Sequence, residues 1–497
     1  MAKSTAVFDL TLPLPGSETP AYRWLYEALR SEILAGRLGT GARLPATRDL
    51  ARQYQLSRGT IVNAFELLKS EGYLEGSIGS GTYVSKVLPD ELLHVDRGRP
   101  RTGDRDLPGQ RVQQRRVSGY AERVRPFQDF PPRPIRAFRA NIPAVDLFPA
   151  NLWVQIAARR WRQGSSNLLL GCDPLGYLPL REAVADYLNT SRAVRCSAEQ
   201  IAIVSGVQEA LDLVARLFLD PGDRVCMENP GYAGAGLAFE SAGAKISAMR
   251  LDDEGMELSS AGLRGARLVY VTPGHQFPLG ISLSLPRRLQ LLEWARKSGA
   301  LIFEDDYDSE YRYSGRPVPA LQGLDRNGSV LFAGSFSKVL FPSLRLGYLV
   351  IPPDLVDYFA AAKSCNSRHA PMLDQAVLCD FIREGHFGRH LRRMRSVYAE
   401  RLSVLLQSAR ERLAGLLDIS SVEAGLQTVG WLRGGITGES AARAAAARNV
   451  EVTALSRYTR GRSTREGLQL GFAAVDPREI ERGVRELAAA LEAIGPG

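Results

Sequence analysis

Apolar residues recur at four-residue spacing near the start of the chain. Leu25, Leu29 and Ile33 share one face of a stretch, 21–34, that predicts a helix stopped by Gly36. Pro45 opens a second helical stretch, with Leu50 and Tyr54 on its apolar side. After a short turn at Gln55 and Leu56, Ser57 can cap a third helix in which Ile61, Phe65 and Leu68 face inward, and Gly72 ends it. Tyr73-Leu74-Glu75 and Thr82-Tyr83-Val84 then flank the glycine-rich tip Gly76-Ser77-Ile78-Gly79-Ser80-Gly81, which predicts a two-stranded wing. Residues 16–86 therefore read as one module of three helices and a hairpin.

The pattern changes further on. From about residue 140 to the end at 497, apolar strands alternate with amphipathic helices, with strands predicted at 201–204, 224–228, 267–272, 300–304, 330–334 and 346–351. That alternation argues for a large α/β domain around a mostly parallel sheet. The span 87–139 is rich in Arg, Pro, Gly and Gln and carries no sustained apolar period, so it reads as a long, flexible linker.

Charge sharpens this division. The chain of 497 residues carries a net charge of +9, and 97–139 alone hold twelve arginines against four acids. Such a linker either stays solvated or touches nucleic-acid phosphates beside a DNA-binding module. No apolar run approaches the roughly 20 residues needed to span a bilayer. The N-terminus lacks the apolar core of a signal peptide. Five scattered cysteines have no metal-ligand spacing and are odd in number. We expect a cytoplasmic protein with free thiols, no metal and no membrane partner.

Two segments carry candidate chemistry. Arg58, Thr60 and Asn63 project from the first turns of the third helix, away from its apolar stripe, where a helix-turn-helix meets base edges in the major groove. Arg43 and Arg48 lie on or beside the second helix, placed for phosphates or a further base. A small helical domain with a solvated polar face fits the same pattern. In the second segment, Gly334-Ser335-Phe336-Ser337-Lys338, Lys338 follows an apolar strand between two hydroxyls, with Arg345 seven residues on. A lysine so placed can form a Schiff base with an aldehyde cofactor, while hydroxyls and a guanidinium hold a phosphate. Lys338 alone reads first as a solvated strand-end lysine, as most lysines are. The other strand ends change that: Ser205-Gly206-Val207-Gln208 turns into a helix N-terminus, Glu304-Asp305-Asp306-Tyr307 brings carboxylates and a phenol, and Tyr232 and His275 bring rings.

The segments Arg43-Leu44-Pro45-Ala46-Thr47-Arg48, Leu56-Ser57-Arg58-Gly59-Thr60-Ile61 and Gly79-Ser80-Gly81-Thr82-Tyr83-Val84 resemble the winged helix-turn-helix of GntR-type bacterial regulators. Thr40 and Gly59 depart from the family's usual Pro and Thr. The resemblance implies binding of a double-stranded DNA operator through Arg43, Arg48, Ser57, Arg58, Thr60, Asn63, Gly79 and Gly81. The strand-end pieces of 140–497, in their order, resemble fold-type I aminotransferases, and the whole chain resembles the MocR subfamily. That resemblance implies a homodimer built through the large domain, with pyridoxal 5'-phosphate (PLP) held as an aldimine of Lys338. It further implies Asp305 on the pyridine nitrogen, Tyr307 near the 3-oxygen and Tyr232 stacked on the ring. His275 stands where an asparagine is usual, and Gly206, Val207, Gln208, Ser335, Ser337 and Arg345 are implied around the phosphate.

Departures bear on function. Gly171 and Cys172 replace the usual Tyr-Gly, which removes a phosphate contact across the dimer. Gln469 stands where working aminotransferases carry the arginine that clamps the substrate α-carboxylate, although Arg457 or Arg460 nearby offers a substitute. We therefore expect a PLP-dependent transcriptional regulator that senses PLP or an amino-group effector. The alternative is an aminotransferase with an accessory DNA-binding domain.

Overall fold

A computed structural model of the chain describes residues 12, 20–77, 81–88, 116–125, 134–163, 166–313, 319–420, 422–461 and 465–495. The chain divides into two compact units, 1–114 and 115–497. In the first, helices α1 (Ala21–Leu34), α2 (Thr47–Gln53) and α3 (Arg58–Ser70) precede strands β1 (Leu74–Ser77) and β2 (Gly81–Val84). Ser57 caps α3 by accepting the Thr60 N–H at 3.1 Å, and its hydroxyl also meets that of Thr60 at 2.8 Å. The strands pair antiparallel from Leu74 opposite Val84 to Ser77 opposite Gly81. Leu25, Leu29, Leu50, Ile61 and Leu68 have no exposed surface. Burial of each such side chain contributes about 1.5–3 kcal/mol, enough for a few of them to hold three short helices together.

The second unit is built on a seven-stranded sheet. In chain order its strands are β3 (Ile201–Val204), β4 (Arg224–Glu228) and β5 (Lys245–Met249), then, after a small hairpin β6–β7 (Leu251–Asp252 and Gly255–Met256), β8 (Ala266–Val271), β9 (Leu301–Asp306), β10 (Val330–Ser335) and β11 (Gly347–Val350). The spatial order is β3-β11-β10-β9-β8-β4-β5, and only β11 runs against the others. β3, β10 and β11 are apolar on both faces, as strands covered by helices on each side must be. The helix His386–Arg412 leads to a second sheet, antiparallel and in the order β12-β13-β15-β14, formed by Leu417–Ile419, Gln427–Leu432, Gly467–Gly471 and Thr453–Ala454.

Part of the span read as a flexible linker is folded. Gly119–Val124 forms a short helix capped by Ser118, and Arg123 donates to the Ser241 carbonyl at 2.8 Å. Ala137 and Phe138 are buried and bridge Val450 and Gly471, so the large unit starts before residue 140. Apolar surface at Ala137 and Phe138 drives this docking, although the arginines around them mask it in the sequence.

Candidate cofactor site and nucleic-acid interface

The six co-directional strands of the large sheet deliver their carboxyl ends to one edge, where open α/β sheets hold ligands. β3 ends in Gly206, whose φ of +118° suits glycine; a Cβ there would lie 3.2 Å from an Arg345 guanidinium nitrogen. Val207 begins a 12-residue helix, so the N–H groups of Val207 and Gln208 have no partner within it. The Gln208 amide is already engaged, donating to the Gly234 carbonyl at 3.1 Å and accepting from the Tyr232 hydroxyl at 3.4 Å. Only its backbone is therefore available to an anion. Ser335 stands at the N-cap position of the short helix Phe336–Val339 without a side-chain cap bond; Ser337 is buried within it and its Oγ has no hydrogen-bond partner. Arg345 is exposed and makes no ion pair among the described residues.

Lys338, half-buried on that helix, donates from Nζ to the Asn141 carbonyl at 3.0 Å. Burial pushes its pKa down to about 8; Arg345 adds to this, while Asp308 and Asp305 oppose it. The amine is thus closer to its neutral, nucleophilic form than an ordinary lysine. Asp305 stands at the end of β9. Its Oδ2 accepts the Tyr270 hydroxyl at 2.7 Å, and its buried Oδ1 has no partner. Burial raises its pKa to about 7, helped by Asp306 and Asp308 and opposed by Tyr270 and Lys338.

The rings come from neighbouring turns. Phe277 meets Tyr232 and Tyr307 edge-on, each at 5.8 Å between centroids. His275 is buried, with Nδ1 3.0 Å from Asp308 Oδ1 and 3.0 Å from the Tyr307 hydroxyl, while Nε2 has no partner. Gln469 is fully buried on β15 and accepts the Tyr458 hydroxyl at 2.8 Å. Of the two substitute arginines, one is hydrogen-bonded to an acid and the other is not. Arg460 grips Glu240 at 2.7 and 3.1 Å, and Arg457 lies 3.7 Å from Glu439 on an exposed side chain.

Several participants escaped the sequence reading. Asn141, Tyr270 and Gln427 lie far along the chain from the residues they touch, and no local motif marks them or Tyr458. Asp308 alone was within reach, three residues after Asp305 in the same acidic run. A cavity of about 750 Å³ is lined by Tyr187, Arg192, Glu310, Arg312 and Arg395 among others, and by none of the residues implied around the cofactor. Its Arg192 is paired with Asp306 at 2.6 Å, so that cavity has a structural ion pair in its wall.

In the first unit, Arg43, Arg48, Ser57, Arg58 and Asn63 are exposed and Thr60 half-buried. Arg58 and Asn63 project from the solvent side of α3. Ser57 and Thr60 hold each other in the cap, which leaves their hydroxyls less free for DNA. Arg43 bridges to Tyr83 on the wing, and a Cβ on Gly81 would meet its side chain at 3.0 Å. Gly79 lies outside the described residues.

A winged helix-turn-helix and a lysine-bearing α/β domain on one chain define a DNA-binding regulator with an aminotransferase-like domain. The family model "Aminotransferase class I and II" matches residues 140–487, and "Bacterial regulatory proteins, gntR family" matches 21–84. The chain is 40% identical over 482 residues to the probable rhizopine catabolism regulatory protein MocR of Rhizobium meliloti, covering 96% of this chain and 95% of that one. It is 29% identical over 486 residues to the HTH-type pyridoxine biosynthesis transcriptional regulator PdxR of Corynebacterium glutamicum, covering 97% and 99%. The crystal structure of LysN, an alpha-aminoadipate aminotransferase of Thermus thermophilus complexed with N-(5'-phosphopyridoxyl)-L-leucine, is similar at a TM-score of 0.67 and 31% identity, over 72% of this chain and 92% of that one. The chain belongs to the MocR-type regulators of the GntR family, with a fold-type I aminotransferase-like domain.

The residues present fit PLP. Asp305 Oδ1 and Ser337 Oγ are buried without partners, and Gly206 leaves open the space beside Arg345 that a Cβ would enter. Among the described residues no helix is long and apolar enough to cross a membrane, and no cluster of side chains could hold a metal ion.

Proposed function

We propose that this protein is a cytoplasmic, homodimeric transcription regulator that binds operator DNA through α3 and the wing and senses PLP or an amine at Lys338. The observation that carries the reading is the convergence of Lys338, Asp305, Ser337 and Arg345 on one sheet edge of a chain that also bears exposed Arg48 and Arg58 on a winged helix-turn-helix. When bound, PLP supplies an electron-accepting ring and an aldehyde carbon that reacts with amines. Lys338 would hold that carbon, and its lowered pKa keeps an amine ready for it. Asp305 would hold a proton on the ring nitrogen through Oδ1. Tyr232 would cover one ring face, and His275 and Tyr307 would border the ring oxygen. Gly206, the N–H groups of Val207 and Gln208, Ser335, Ser337 and Arg345 would hold the phosphate, each supplying a donor or, for Arg345, a full charge.

Sensing is favoured over turnover by Gln469. An amide in place of the guanidinium leaves an amino acid's α-carboxylate without a bidentate partner, and transamination needs that grip to hold the reacting bond across the ring. The test is PLP titration of the purified full chain, followed by borohydride reduction, peptide mapping and operator-binding isotherms with and without amines. A PLP adduct on Lys338 and an operator affinity that depends on ligand are expected. Absence of the adduct overturns the cofactor reading. Rapid turnover of amino acid and keto acid, at about 1 per second or faster, favours the aminotransferase instead.

A further inference from the structure

Two buried glutamines define what the ligand side of this pocket accepts. Gln427 on β13 lies opposite Gly471, and Gln469 on β15 lies opposite Val429, so the two share one face of the sheet as diagonal neighbours. Both are buried, Gln469 completely. Gln427 Oε1 accepts the backbone N–H of Asn141 at 3.0 Å. A backbone N–H can only donate, so this bond turns the Gln427 NH2 away from Asn141. Gln469 Oε1 likewise accepts from Tyr458, whose oxygen is in turn approached by the Thr453 hydroxyl. Both Nε2 atoms are left buried with no hydrogen-bond partner; Gln427 also comes near the Tyr307 phenol, whose pKa burial raises well above its ordinary value.

Asn141 links Gln427 to Lys338, its N–H on Gln427 and its carbonyl on Lys338 Nζ, while Gln469 joins the neighbouring rings through Tyr458. Tyr458, the partner of Gln469, meets Phe277 edge-on at 5.0 Å between centroids, and Phe277 meets Tyr307. The charges that act on Lys338 are Asp308, Asp305 and Arg345, the last beside Gly206. Arg460 is held by Glu240, and Arg457 is an exposed side chain 3.7 Å from Glu439. A carboxylate entering here would meet neutral amides and acids. The surroundings attract an amine and offer two N–H donors to uncharged oxygens. His275 Nε2 adds a third polar atom without a partner.

Resting on the reading of Lys338 as the PLP lysine, we propose that the effector is a hydroxylated primary amine without a carboxylate, its oxygens accepting from the Nε2 groups of Gln427 and Gln469. A hydroxyl suits this place because it both accepts and donates, and so matches amide N–H groups and an imidazole nitrogen alike.

The test begins with PLP loading of the full chain, read as a visible band that borohydride bleaches; if no band forms, the PLP reading itself fails. With the band present, serinol, glucosamine, L-alanine, L-glutamate and γ-aminobutyrate are titrated, following the spectral change and operator anisotropy. Serinol or glucosamine is expected to saturate the response at a concentration about ten-fold or more below the carboxylates. Gln469→Arg is expected to reverse that order, and Gln427→Leu to weaken the hydroxylated amine about ten-fold. A wild-type response in which any of the three amino acids equals or outperforms both hydroxylated amines overturns the proposal while leaving PLP binding standing. A response to none of the five overturns it as well.

Discussion

Tyr270 donates its hydroxyl to Asp305 Oδ2 at 2.7 Å, while Oδ1 of the same carboxylate is buried without a partner. One oxygen is thus fixed by the protein and the other is kept for a cation. Ionised Asp305 is the form that pairs with a protonated ring nitrogen. Because burial holds its pKa near 7, affinity for PLP should rise as pH climbs through about 7.

Asp305→Ala should weaken PLP by about 1.5–3 kcal/mol, the scale of a hydrogen bond to a charged group. Tyr270→Phe removes a donor that favours the ionised form, so the rise in affinity should move to higher pH. Fluorescence titration of PLP between about pH 5 and 9 reads both effects, spanning the raised value and the ordinary carboxylate range. An identical profile in wild type and Tyr270→Phe would count against this role for Tyr270.

Lys338 offers a kinetic test. Its pKa is lowered to about 8, and only the neutral amine attacks an aldehyde. The rate of PLP capture should therefore increase as pH rises through about 8 and level off above it, where a lysine of ordinary pKa would keep accelerating. Stopped-flow absorbance measures this directly. Lys338→Ala should lose both the reducible adduct and this pH dependence, with DNA binding by the first unit preserved.

Much of this was legible in the chain itself. Leu25, Leu29 and Ile33 mark α1 at its observed limits, and Lys338, Asp305 and Gly206 announce themselves because each ends an apolar strand. The antiparallel second sheet was not legible. Thr453–Ala454 and Leu417–Ile419 are too short to show a period, and Gln427 opens β13 with a buried amide. The folded part of the linker was hidden for a similar reason. Ala137 and Phe138 find their partners, Val450 and Gly471, more than 300 residues away, and local sequence cannot report that pairing.

Gly206 and Arg345 should behave as a coupled pair. A methyl at Gly206 would sit 3.2 Å from the guanidinium and force a residue with a side chain to hold a φ of +118°. Gly206→Ala should lower the melting temperature through backbone strain of about 1–3 kcal/mol, and should weaken PLP by displacing Arg345. Arg345→Ala should weaken PLP by about 1.5–3 kcal/mol with little effect on melting. In the double variant the two losses of PLP affinity should not add, since the second change acts through a group already removed. Full additivity in isothermal titrations would separate Gly206 from Arg345.

The DNA-reading face yields the last prediction. Arg58 and Arg48 are both exposed and, among the described residues, neither is tied to an acid, so both are available to a polyanion. Their places differ. Arg58 opens α3 immediately after the Ser57 cap, where a recognition helix reaches base edges. Arg48 lies in the first turn of α2, the helix that crosses the backbone. Arg58→Ala should therefore cost about 1–3 kcal/mol on the natural operator, and much less on unrelated DNA. Arg48→Ala should weaken both DNAs alike and reduce the salt slope of log K by about one. Ser57→Ala should act through the fold, because its hydroxyl caps α3, and should cost about 1 kcal/mol of domain stability. Fluorescence anisotropy with operator and scrambled duplexes across a salt series separates the three. Equal loss on both duplexes for Arg58→Ala would move it from base readout to the phosphate backbone.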